Sequence, residues 1–108
     1  MPILEAMACG LPVIATDWSS HRDFMNAGNA YPLRVEKLVP AEAKCPYYKG
    51  FQWAQPSYEH LRQLMRHVYE NREEARARGA RAAQEARAYW TWDHAAQKII
   101  DRLKVIEG

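Results

Sequence analysis

The chain has 108 residues, a net charge of +2, 48% apolar and 26% charged residues, close to globular averages. That length allows one domain and excludes a second, and the composition excludes disordered, collagen-like and disulfide-scaffold chains. No apolar run reaches the roughly 18 to 20 residues that a bilayer span requires, and the first residues lack a signal-peptide pattern. The small net charge does not imply polyanion binding, although arginine is twice as frequent as lysine. Cys9 and Cys45, 36 positions apart, fit neither a metal pair nor a disulfide framework, so a reducing cytoplasm is the expected location.

Pro2 to Gly10 reads as a short helix, with proline at a first helical position and Gly10 as the left-handed residue that ends it. Ile3, Leu4, Met7 and Leu11 form its apolar stripe, and Glu5 lies off it. Pro12 to Thr16 is an apolar, β-branched run without alternation, the pattern of a strand buried on both faces of a parallel sheet. Ser20 with Asp23 three residues on predicts a capping box and a short helix from Ser20 to Asn26, closed by Gly28. Tyr31, Leu33 and Val35 then alternate with Pro32 and Arg34 as a second strand, and Pro32 favours an edge or a strand start. Residues 36–56, with Pro40, Pro46, Gly50 and Pro56, are expected to be a long irregular loop. Within it Tyr47, Tyr48, Phe51 and Trp53 are read first as anchors on the core and second as contacts to a partner domain.

From Ser57 onward the pattern becomes helical. Ser57 caps a helix whose stripe is Leu61, Leu64, Met65, Val68 and Tyr69. Asn71 with Glu74 starts a second helix, laced by Glu73–Arg76, Glu74–Arg78 and Arg81–Glu85 pairs and carrying an alanine side suited to close helix packing. Thr91 caps a third, with Asp93 in its first turn and Trp92, Ala96, Ile99, Leu103 and Ile106 as its stripe; Trp90 and Trp92 are expected in the core. Arg72, Arg76, Arg78, Arg81 and Arg87 alternate with acids rather than aromatics, so a solvated face is expected and not a nucleic-acid surface. His60 and His67 stand two helical turns apart, too far to grip one ion, and Asp17 with Asp23 gives no metal motif. His21 and His94 have no evident partner in sequence.

The fold class expected is therefore α/β, a partial Rossmann-like domain with two short parallel strands and a helix-rich C-terminal half. Two strands do not complete a doubly wound sheet. The chain is either a mostly helical domain with a small sheet or the later part of a larger α/β domain, divided as 1–35 α/β part, 36–56 loop and 57–108 helices.

The run from Pro2 through Leu4-Glu5-Ala6-Met7-Ala8-Cys9-Gly10-Leu11-Pro12-Val13-Ile14-Ala15 resembles the signature of retaining GT-B glycosyltransferases of family 4, the group 1 glycosyltransferases. The resemblance continues through Trp53-Ala54-Gln55-Pro56, Leu61 to Arg66, Glu73 to Gly79 and Thr91-Trp92-Asp93. Where the family usually carries glycines and a Glu after the first strand, Ser19, Ser20 and Asp23 stand instead. The resemblance implies a C-terminal, donor-binding portion of an enzyme that moves a sugar from a nucleotide sugar to an acceptor. Glu5 matches the second acid of the family's acidic pair and would accept hydrogen bonds from the donor ribose, as an acceptor-only carboxylate can. The helix start at Pro2 and Ile3 would face the donor diphosphate. It further implies no metal or resident cofactor, a missing N-terminal domain as partner, and no activity of the chain alone, while the unpaired edge of a two-strand sheet predicts self-association. The other reading is a helical protein–protein interaction module without catalysis.

Overall fold

A computed structural model describes residues 2–41 and 46–108. It is a mixed α/β structure with a short parallel strand pair and a helical C-terminal half. The first helix, α1 (Pro2–Ala8), ends in a Schellman motif: Leu11 N–H donates to Ala6 O at 3.1 Å, Gly10 N–H donates to Met7 O at 2.9 Å, and Gly10 has φ +78°. The chain then reverses into β1 (Ile14–Thr16), which pairs in parallel with β2 (Tyr31–Leu33) in the register Ile14–Tyr31, Ala15–Pro32 and Thr16–Leu33. Between them lies α2 (His21–Phe24), shorter than expected, and Ser20 has helical backbone angles with no capping hydrogen bond from its side chain. The expected capping box does not form, because a residue already in the helical region does not aim its hydroxyl at the N–H groups it would cap.

Residues 36–56 depart most from expectation. They hold most of an antiparallel pair, β3 (Val35–Pro40) and β4 (Gln52–Pro56), with a register irregularity between Val35 and Lys37 and a single 3-10 turn at Pro46–Tyr48. Part of the expected loop, including Cys45, lies outside the described residues. Val35 accordingly begins β3 and does not extend β2. The loop aromatics are not core anchors, since Tyr47, Phe51 and Trp53 are exposed at 85%, 65% and 42%.

Three helices follow: α3 (Tyr58–Glu70), α4 (Arg72–Tyr89) and α5 (Trp92–Glu107). Ser57 caps α3 by accepting from His60 N–H, as expected. Thr91 caps α5 in a capping box whose second member is His94, so this histidine does have a partner. Asn71 makes no side-chain cap for α4; its amide donates instead to His67 O at 2.9 Å, closing the preceding helix. The alanine side of α4 is buried as Ala75, Gly79, Ala82, Ala83 and Ala86, and α4 packs on α1. The core gathers Met7, Val13, Ala15, Phe24, Met25, Ala30 and Ala82, with Ile3, Leu4, Ala6 and Trp90 half-buried against it. Leu11 and Trp92 were expected inside and are exposed. The whole stripe of α5 also faces outward.

Candidate functional site

The Schellman turn at Gly10 reverses the chain between α1 and β1, and α1 packs on α4. In open α/β sheets, ligands bind outside the carboxyl ends of the parallel strands. Of the three residues singled out from sequence, Glu5 is exposed on α1, Pro2 is exposed, and Ile3 is half-buried against the core. They share one helix, and Glu5 lies off its buried side. Pro2 has no N–H to give, so the first backbone donor that α1 presents is that of Ile3.

The segment following β1 is built by short-range bonds. Asp17 N–H continues the ladder to Leu33 O at 2.9 Å, and Trp18 N–H turns back to Thr16 O at 2.9 Å. Ser19 has φ 55°, the left-handed region that glycine enters without strain and serine rarely adopts. Asp17 and Arg22 pair with each other at 3.4 Å. His21 Nδ1 lies 3.0 Å from Thr16 O, which only accepts, so this nitrogen carries the proton and donates. Asp23 is exposed.

Behind the strands, the network around Glu74 fixes where β2 sits relative to the helices. Its carboxylate lies 3.1 Å from His67 Nε2 and 2.9 Å from an Arg78 guanidinium nitrogen, and it accepts from the Tyr31 hydroxyl at 3.3 Å. The hydrogen bond to His67 is the main cause holding the Glu74 carboxyl below its ordinary pKa; the Arg78 charge and the Tyr31 hydroxyl reinforce it against partial desolvation. Burial pushes the Tyr31 phenol up, with the Arg78 guanidinium, 4.2 Å over its ring, acting the other way. Nearby, fully buried Asn29 donates to Phe24 O and to Glu85, and its Oδ1 accepts from Asn26 N–H at 2.8 Å. Glu85 in turn takes Arg81 at 3.1 Å. Sequence spacing identified the Glu74–Arg78 and Arg81–Glu85 pairs but not the residues they brace, which are up to 56 positions away.

Among the described residues, no group of three or more His, Cys, Asp or Glu side chains is arranged to hold a metal ion. No described helix is long and apolar enough to cross a membrane. The family model described as glycosyl transferase-like matches residues 1–101. No curated protein and no solved structure matches the chain. With the match spanning α1, both strand pairs, α3, α4 and most of α5, the chain belongs to the glycosyl transferase-like family.

Proposed function

We propose that this chain is the C-terminal, donor-binding portion of a retaining glycosyltransferase of GT-B architecture, which moves a sugar from a nucleotide sugar to an acceptor. Glu5 accepts hydrogen bonds from the ribose hydroxyls of the donor, and the start of α1 at Pro2 and Ile3 faces its diphosphate, with Ile3 N–H as the first donor. The observation that supports this best is the exposed position of Glu5 on the helix that leads through the Gly10 turn into the parallel pair, inside a chain of the glycosyl transferase-like family. An ionised carboxylate there can take two hydroxyls at once. The reading includes no resident cofactor and no metal.

The parallel pair is too small to be the sheet of a doubly wound domain, and β1 has strand pairing on one side only among the described residues. The reading therefore assigns further strands and an acceptor-holding N-terminal domain to the rest of the parent enzyme. It follows that the 108-residue chain alone should transfer no sugar. An assay of transfer from nucleotide sugars to saccharide acceptors, run on the isolated chain and on the parent, tests this. Turnover by the isolated chain would overturn the assignment to an incomplete donor half.

A further inference from the structure

We infer that the cleft between the β1–α2 turn and β4 is a saccharide-binding subsite, in which a neutral sugar ring lies against Trp18 and Trp53. The cleft is open to solvent, measures about 350 Å³, at the small end of ligand pockets, and draws its walls from two segments that sequence keeps apart, the β1–α2 segment and β4. From the first come Thr16, Trp18, Ser19, Ser20 and His21; from the second come Trp53 and Ala54. Both indoles are partly exposed, at 39% and 42%, and the Tyr48 ring leans on that of Trp53 with centroids 6.3 Å apart.

The choice of ligand follows from what the walls offer. Among the described residues no lysine, arginine or carboxylate lines the cleft, and the nearest pair in sequence, Asp17 and Arg22, is joined at 3.4 Å. A phosphate or nucleotide would find no cation there. The indole N–H groups of Trp18 and Trp53 and the hydroxyls of Ser19 and Ser20 have no hydrogen-bond partner within the protein among the described residues. His21 is committed through Nδ1 to Thr16 O, which leaves the Nε2 of its neutral ring as an acceptor. Flat apolar faces beside unpaired donors, hydroxyls and one acceptor, without formal charge, complement a pyranose, which has an apolar C–H face and a rim of hydroxyls. Ser19 in the left-handed region fits the same picture, since strained non-glycine residues concentrate at ligand sites. The inference goes beyond the donor reading, because nothing in it involves Glu5.

Indole N–H resonances test it directly, with Trp90 and Trp92 as internal controls outside the cleft. The chain, labelled with nitrogen-15, is titrated with cellobiose, maltose, chitobiose and mannobiose, and separately with UDP-glucose, GDP-mannose, UDP and GDP. The expected result is movement of the Trp18 and Trp53 signals, but not those of Trp90 and Trp92, with at least one disaccharide or sugar nucleotide. A response to disaccharides alone identifies an acceptor glycan as the source, whereas a response to sugar nucleotides alone identifies the donor sugar. Trp18→Ala or Trp53→Ala should weaken binding roughly tenfold or more, with Trp18→Phe intermediate because it keeps a face but loses the N–H. Glu5→Gln should leave the disaccharide response intact, so failure of the donor reading and failure of this one are separable. Silence of both indoles toward every sugar, or an equal response to UDP or GDP without sugar, overturns the subsite.

Discussion

Glu74 joins three elements through one carboxylate: Tyr31 on β2, His67 on α3 and Arg78 on its own helix α4. The consequence for pH has a definite sign. A carboxyl whose pKa is lower in the folded than in the unfolded chain adds stability that is complete above the ordinary glutamate range and disappears as the pH falls through the lowered value. Urea midpoints measured from about pH 6 to about pH 3 should therefore fall more steeply for the natural chain than for Glu74→Gln, whose side chain does not titrate. Equal acid limbs would show that the carboxylate does not couple to folding. At the same scale, two readings from sequence changed. His94 lacked a partner in sequence because a capping box normally carries Glu or Gln where this one has histidine, and His21 because its partner is a backbone carbonyl, which no motif marks.

Helix α4 meets the α1–β1 turn at Gly79. A Cβ there would stand 2.2 Å from Gly10 O and 3.0 Å from Gly10 C, backbone atoms that cannot rotate away. Gly79→Ala, which in an open helix would stabilise by about 1 kcal/mol, should instead destabilise by roughly 1 to 3 kcal/mol through overpacking. Chemical denaturation decides the sign, and a gain in stability would mean the helices are not in this contact. The elements that sequence made legible are those whose signal is local and whose partner face is their own. The Gly10 stop, the Ser57 and Thr91 caps, the alanine side of α4 and the Tyr31–Leu33 alternation all appear in place. The β3–β4 pair was hidden because its strands are mostly exposed, so backbone pairing holds them without a period-two apolar pattern, and Pro40 and the bulge at Val35/Lys37 obscure what pattern there is. For the candidate site, Glu5 was legible as the polar residue of a motif-bearing helix, whereas the cleft was not. Trp18 and Trp53, 35 positions apart in sequence, line it together only in the folded chain.

At the scale of the molecule, the chain is extended. Its radius of gyration is 16.9 Å, against about 13 Å for a compact domain of this length. Part of the reason is α5, whose Ile99, Leu103 and Ile106 are 62%, 52% and 66% exposed. Amphipathic spacing defined that apolar stripe but could not specify a cover for it, and the core of the chain supplies none. An apolar helix face and a β1 edge without a second strand among the described residues both favour association. Sedimentation at rising concentration should give masses above the 12.5 kDa of one chain; a constant monomer mass would contradict this. In the proposed function Glu5 holds the donor ribose. Losing hydrogen bonds to a charged acceptor costs ~1.5 to 3 kcal/mol, so calorimetric titration of the parent enzyme with its sugar nucleotide should give a dissociation constant about 10- to 150-fold weaker for Glu5→Gln, with unfolding unchanged. Equal dissociation constants for the two proteins would remove Glu5 from the donor site.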